Sequence, residues 1–261
     1  MISDEEIQQF YQQGAVTVDT PLSPEQIAAG AAAVDELLPW REPKEGETPR
    51  YRFGRTCDYF HPALLELIQE PFFEDVAGQV LQSQQVRFFQ TALVATYPQV
   101  DGVFSFFQHV DVQYCSADFQ AVPRNIVCSF FLWLEDVTPK RAPLMYRPGS
   151  HRLLATYRDA DPHLCGQGPR VAGVLLDDLP DLPYSEPEPV VARAGQVTVL
   201  TTAMVHGAST NIDDKPRKAL VITFTDAGVE VGLPEGQAEA KKRYDGELKE
   251  HLRPERAHII S

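Results

Sequence analysis

The hydrophobic pattern of this chain changes period between Leu81 and Val86 and does not change back until about residue 230. Before the break, apolar residues recur at helical spacing. After it they fall in short β-branched and aromatic runs separated by turn residues, the texture of strands. In the first part, Ser3 with Glu6 has the form of a capping box and opens a helix to about Gln13, which Gly14 stops. Ala15 to Val18 reads as a strand. Ser23-Pro24, with Gln26, starts a second helix that runs through Ile27, Ala31, Val34 and Leu38. Glu42 to Pro49 is charged and carries glycine and proline, so it reads as a loop. Pro62 to Gln69 and Pro71 to Leu81 are helices that each begin on a proline.

In the second part, Val86 to Tyr97 is a long strand, and a turn around Pro98 to Gly102 leads to a strand spanning Phe107 to Tyr114. Asn125 to Leu134 is apolar enough to be buried on both faces. Leu144 to Tyr146 is a short strand and Pro148-Gly149-Ser150-His151 a turn. Residues 155 to 188, rich in Asp, Pro and Gly, form a long excursion of the kind that serves as a lid or binding loop. Gln196 to Leu200 and Ala219 to Phe224 are the last strands, and the charged tail from Gln237 to His251 is a solvated helix. Helices followed by many strands make an α+β chain with an antiparallel β core, and a double-sheet jelly roll is one way such a core manages its edges.

The length of 261 residues and a hydrophobic content of 43% suit one large domain as well as two small ones. A formal net charge of -14 argues against nucleic acid and against anionic membranes as partners. No apolar run is long enough to span a bilayer, and the acidic start, Met1 to Glu6, lacks the regions of a signal peptide. Cys57, Cys115, Cys128 and Cys165 show no paired spacing, so neither a disulfide framework nor a zinc knuckle is expected, and a cytoplasmic location fits.

The strand after Phe107 carries the chemistry. Its period of two puts His109 and Asp111 on one face. An imidazole and a carboxylate side by side are two thirds of a facial triad that holds non-haem Fe(II) and leaves positions open. His206, at the end of the strand that begins at Val197, can supply the third ligand. The turn Asn211 to Pro216 then suggests a symmetric hairpin with His206 opposite Arg217, Cα atoms about 5 Å apart. There Arg217 can form a bidentate pair with a carboxylate. A metal ligand beside a carboxylate clamp suits a chelating keto acid. Other residues have plainer readings. His151 sits in a turn and is structural, while His61 and His163 adjoin prolines at loops or helix starts. Most of Phe104, Phe106, Phe107, Tyr97 and Tyr114 are core. Arg52 and Arg55 could meet an anionic substrate from the N-terminal part, with solvated surface the plainer reading, and Lys241-Lys242-Arg243 is an exposed helix face.

Taken in order, these pieces resemble the phytanoyl-CoA dioxygenase-like family of Fe(II)/2-oxoglutarate-dependent oxygenases. The resemblance runs from Val86 to Thr225: His109-x-Asp111, Leu134-Glu135-Asp136-Val137-Thr138, Pro148-Gly149-Ser150-His151, Gly195-Gln196-Val197 leading to His206, and Arg217. It implies a mainly β, cupin-like double-stranded β-helix over about 86–230, a helical N-terminal part over about 1–85 packed on it, and a charged C-terminal helix over about 235–252, in one domain of residues 1–261. It implies Fe(II) held by His109, Asp111 and His206, with 2-oxoglutarate and O2 as cosubstrates. Arg217 would bind the distal carboxylate of 2-oxoglutarate. In ectoine hydroxylases, which belong to the family, a cosubstrate-binding asparagine falls on Thr96, counted back from His-x-Asp. A cosubstrate-binding serine falls on Ser129, counted on from Pro123-Arg124. The threonine is a departure, as is Gln108, where many members have tryptophan before the histidine.

The implied reaction is hydroxylation of an unactivated C–H in a small-molecule metabolite, with release of succinate and CO2. An aspartate at position 111 favours hydroxylation over halogenation, since halogenating relatives have a small residue there. Desaturation, epoxidation or cyclisation with the same cofactors stays open. So does a jelly-roll protein that binds a small molecule without turnover, or a cupin-type isomerase or hydrolase using Zn or Mn. The family's substrates range from acyl thioesters to osmolytes and natural-product intermediates, and the oligomeric state is open.

Overall fold

A computed structural model describes residues 1–42, 52–99, 101–161, 163 and 169–260. The loop expected from Glu42 to Pro49 lies, from residue 43 on, outside the described residues. The N-terminal part contains α1 (Asp4–Gln13), β1 (Ala15–Asp19), α2 (Pro24–Leu37), β2 (Arg52–Thr56), α3 (Pro62–Ile68) and α4 (Pro71–Leu81). Both capping boxes form: Ser3 with Glu6 closes the start of α1, and Ser23 with Gln26 closes that of α2. Gly14 ends α1 in the left-handed region, at φ 90°, as a C-terminal glycine should. Prolines open α2, α3 and α4.

From Val86 the chain forms β3 (Val86–Thr96), β4 (His109–Gln113), α5 (Ser116–Gln120), β5 (Cys128–Trp133), β6 (Met145–Tyr146), α6 (Ser150–Arg158), β7 (Arg170–Leu175), β8 (Glu188–Pro189), β9 (Gln196–Leu200), β10 (His206–Gly207) and β11 (Arg217–Asp226). The strands make two antiparallel sheets. One has six strands in the order β1-β9-β5-β11-β3-β2; the other has five in the order β7-β4-β10-β6-β8. The fold is the α+β arrangement with a double-stranded β-helix at its core.

Alternation along the six-stranded sheet gives its two faces different work. Leu93, Ala95, Phe130, Leu132, Leu220 and Ile222 point outward and join the core formed with the N-terminal helices. Phe73 of α4 meets Phe130 of β5 edge-on, with ring centroids 5.4 Å apart. The alternate positions face the second sheet, and several are polar: Thr96, Ser129, Thr198, Arg217 and Thr223 are all buried. Polar groups at alternate, buried strand positions mark where a jelly roll holds something other than core.

Several expectations change. The N-terminal part is not wholly outside the sheets, because β1 and β2 form the two edges of the larger one. The excursion after residue 155 contains the C-terminal half of α6 and β7, and β7 pairs with β4. Pro148 to His151 is the entry to α6, with Gly149 at φ 76° as its N-cap, rather than a turn alone. Cys115 is disulfide-bonded, whereas Cys57 and Cys128 are free, so sequence spacing alone was a poor guide to pairing. Cys165 lies outside the described residues.

The charged tail does form a helix, α7 (Glu235–His251), followed by a 3-10 segment (Pro254–Ile260). It is not solvated all round. Tyr244 and Leu248 are buried, and Tyr244 stacks on Phe60 with centroids 5.0 Å apart. Among the described residues no helix is long and apolar enough to cross a membrane.

Candidate metal centre

β4 alternates as its sequence requires: Val110 and Val112 are buried, while His109 and Asp111 are half-buried on the other face. β10 is only two residues long, yet it pairs His206 with His109 of β4 on one side and with Tyr146 of β6 on the other. That pairing brings three ligand side chains together. Asp111 Oδ1 stands 2.9 Å from His109 Nε2, and Asp111 Oδ2 stands 3.4 Å from His206 Nε2. One potential ligand atom from each residue lies within 4.8 Å of the others.

Hydrogen bonds orient the three side chains toward one another. His206 Nδ1 donates to the Met204 carbonyl at 2.9 Å, which turns Nε2 toward Asp111. Burial by itself would raise the Asp111 carboxyl. The hydrogen bonds from His109 and His206, and their charge, outweigh it and hold the group well below the usual carboxylate range. Burial would lower His206, but Asp111 overcomes it and raises the imidazole. Two imidazole nitrogens and a carboxylate drawn together, with Asp111 at a cavity wall, form the donor set that non-haem Fe(II) takes, with open positions left for small ligands.

The close packing of β10 on β4 requires Gly207. A Cβ there would sit 1.8 Å from the Phe107 carbonyl oxygen, which is backbone and cannot rotate away. Phe107 also stacks on the His109 ring, centroids 5.6 Å apart at 18°. Phe104, Phe106 and Phe107 are half-buried or exposed, not core as expected, whereas Tyr97 and Tyr114 are buried.

Arg217 is not opposite His206. The strand expected to run to Met204 ends at Leu200, and a turn held by Met204 N–H to the Thr201 carbonyl (3.2 Å) carries the chain into the other sheet. The Thr201 hydroxyl accepts from Ala203 N–H, a local bond that competes with extended pairing. Arg217 opens β11 in the six-stranded sheet, where its register partner is Thr96 of β3.

The guanidinium of Arg217 is buried; its Nε donates to the Ala142 carbonyl at 3.1 Å, and it lies 5.7 Å from the Trp133 ring. Burial, with the nearby charge of Arg52 adding to it, lowers Arg217 to about 9. Among the described residues no carboxylate pairs with it. A buried cation without an acidic partner is costly, and an anionic ligand would relieve that cost. Thr96, fully buried beside it, has a hydroxyl with no hydrogen-bond partner. Ser129 lies on the same face, 3.4 Å from the Thr223 hydroxyl.

A cavity of about 530 Å3 opens between the sheets, within the usual range for small-molecule sites. Asp111, Ser129 and Thr223 line it, as do Arg52 of β2 and Lys241 of α7. Arg52 is exposed, as its sequence suggests, yet reaches the cavity, whereas Lys241 is half-buried rather than on a fully exposed helix face. Their position depends on strand register and helix docking, although the alternation Arg52-x-Gly54-x-Thr56 could have marked β2 as a strand. His151 lies elsewhere: it is buried, with Nε2 3.0 Å from the Tyr11 carbonyl. His61 caps α3, accepting from Ala63 N–H.

The fold and this cluster define a double-stranded β-helix with a His-x-Asp…His centre, the architecture of a mononuclear iron oxygenase. A model of the phytanoyl-CoA dioxygenase (PhyH) family matches residues 10–219. An ectoine dioxygenase of Nocardia farcinica is 25% identical over 240 residues, covering 85% of this chain and 78% of that protein. Among solved structures, the non-haem α-ketoglutarate-dependent carbocyclase SnoK of nogalamycin biosynthesis superposes with a TM-score of 0.67. It has 22% identity and covers 91% of this chain and 90% of its own. The epimerase SnoN in complex with Fe3+, α-ketoglutarate and nogalamycin RO gives 0.63 at 18% identity, covering 91% and 88%. The chain belongs to the phytanoyl-CoA dioxygenase family. It is an Fe(II)/2-oxoglutarate-dependent oxygenase, and its cofactors are Fe(II), 2-oxoglutarate and O2.

Proposed function

We propose that this oxygenase hydroxylates an unactivated C–H of a small-molecule metabolite and releases succinate and CO2. The observation that carries the reading is the cluster of His109, Asp111 and His206, whose Asp111 lines a cavity shared with Ser129, together with the buried Arg217, which sits on the inner face of the other sheet in register with Thr96. His109, Asp111 and His206 would hold the iron, and Arg217, Ser129 and Thr96 would hold the distal carboxylate of 2-oxoglutarate. Bound iron with 2-oxoglutarate and O2 supplies the oxidising chemistry. The protein contributes position and exclusion of water. His206 is oriented by the Met204 carbonyl, Asp111 stays ionised, and Arg217 offers a fixed positive charge where bulk water cannot screen it.

Asp111 supports hydroxylation, since a carboxylate here occupies a position that a halide would otherwise need. The similarity to a carbocyclase and an epimerase keeps cyclisation and epimerisation as a second reading of the same site.

The test is anaerobic assembly with Fe(II) and 2-oxoglutarate. Wild type should develop the visible charge-transfer band of the ternary complex, and with O2 it should form succinate. Asp111→Ala and His206→Ala should lose both. Retention of iron and turnover in either variant would rule out the assignment. Mass spectrometry of products from a metabolite extract then separates a gain of one oxygen from a loss of two hydrogens or no change in mass.

A further inference from the structure

Charge in the iron cavity runs opposite to charge in the chain. Acidic residues outnumber basic ones by 37 to 23 overall. Yet among the described residues that line the cavity Asp111 is the one acid, and the other charged residues there are Arg52 and Lys241. Both come from elements outside the central strands of the sheets, one from an edge strand and one from a C-terminal helix.

Their placement follows from register and docking. Arg52 is the register partner of Thr96, which also pairs with Arg217, so the three lie in a row across β2, β3 and β11 on the inner face. Arg52 lies near enough to Arg217 to lower its pKa. Lys241 reaches the cavity because Tyr244 and Leu248 bury the adjoining turns of α7. Its ammonium is held by Asp245 one turn on and lies 5.8 Å from the centroid of the Phe89 ring. The same cavity has an apolar share, Phe89, Val94, Val127, Phe131 and Val221, beside the polar Gln90, Ser129, Thr202 and Thr223.

We propose that the primary substrate is an amphipathic anion, and that Arg52 and Lys241 seat its carboxylate or phosphate while its apolar body lies against Phe89 and Phe131 and reaches toward Asp111. This rests on the proposed function, because it assigns the substrate side of the same centre. Arg217 then serves the cosubstrate and Arg52 the substrate, so two anions enter one cavity from separate cations. Charge-assisted bonds to a guanidinium give such a site its preference for anions over neutral isosteres.

The test uses matched probes on the Fe(II)·2-oxoglutarate complex under argon, read by titration calorimetry: 4-phenylbutyrate, 3-phenylpropyl phosphate and 4-phenylbutyramide. In wild type, at least one of the two anions should bind about tenfold more tightly than the amide, or about 1.4 kcal/mol. Whichever binds more tightly names the head group. Arg52→Gln and Lys241→Gln should each cut that preference to about threefold, with 2-oxoglutarate affinity within about twofold of wild type. Equal binding of acid, phosphate and amide, or no binding of any, overturns the proposal. A collapse of 2-oxoglutarate affinity in Arg52→Gln also overturns it, since Arg52 would then belong to the cosubstrate. Failure of the wild type to form the iron and 2-oxoglutarate complex would remove the proposed function itself, and is seen before any probe is added.

Discussion

The two buried histidines His151 and His206 have opposite electrostatics. His206 faces a carboxylate that raises it; His151 faces none among its described contacts. Burial, with the charge of Arg152 adding to it, pushes His151 down to about 4, against the pull of the Tyr11 carbonyl. Its place in the first turn of α6 points the same way, since a helix N-terminus disfavours a cation. The consequence is a defined loss of stability in acid. In the unfolded chain His151 binds its proton near 6.5, and in the folded chain only near 4. Between those values the unfolded state holds more protons, so the stability conferred by neutral His151 is complete above pH 6.5 and drains away as pH falls to about 4. The amount is roughly 3 kcal/mol. Urea unfolding of wild type and His151→Gln between pH 7 and 4 should show a shallower acid loss in the variant. Parallel curves would assign the acid limb to other groups. The variant should also keep the charge-transfer band that His206→Ala loses, because His151 is outside the ligand cluster.

Short elements carry more of the site than long ones. β10 has two residues, yet it decides whether His206 meets His109, and it can approach β4 only because Gly207 lacks a side chain. Gly207→Ala should therefore push β10 from β4, lower Fe(II) affinity by about tenfold or more, and cost about 1–3 kcal/mol of stability as a small overpacking would. Metal titration alongside a far-UV spectrum separates loss of the site from loss of the fold; iron affinity like that of wild type would show the backbone contact to be slack. The same contrast explains what could be read from sequence. The capping boxes of α1 and α2, the prolines of α3 and α4 and the alternation of β4 are local signals, and all were legible. His109, Asp111 and His206 were legible through residue type, period and order. The pairing of Arg217 was not. A hairpin drawn from turn symmetry assumed that β9 ran through Thr201, whereas the threonine turn there sends the chain to the other sheet. Sequence left Arg52 between a substrate contact and solvated surface, and put Lys241 on an exposed face, for a related reason: whether an edge-strand or helix cation faces a cavity is set by long-range register and docking, which spacing does not encode.

The residues proposed for the centre fall on two different sheets. His109, Asp111 and His206 all belong to the five-stranded sheet, while Thr96, Ser129 and Arg217 belong to the six-stranded one. Under the proposed assignment iron is bound by one layer, and 2-oxoglutarate is the molecule that ties that layer to the other. Hydrogen exchange can see this difference, because amide protection reports local opening element by element. Fe(II) alone should slow exchange in β4 and β10. Fe(II) with 2-oxoglutarate should in addition slow the end of β3 near Thr96, the start of β11 near Arg217 and β5 around Ser129. Arg217→Ala removes the charge-assisted contact, so it should bind 2-oxoglutarate at least about tenfold more weakly, a loss of about 1.4 kcal/mol or more, with iron affinity retained. In that variant, at a 2-oxoglutarate concentration that saturates wild type only, protection of the six-stranded sheet should vanish while protection of β4 and β10 persists. If 2-oxoglutarate protects only the five-stranded sheet in wild type, the cosubstrate does not cross the cavity and Arg217 is not its anchor. If iron alone protects both sheets, the layers are already coupled through their packing, and the cosubstrate has no bridging role to play.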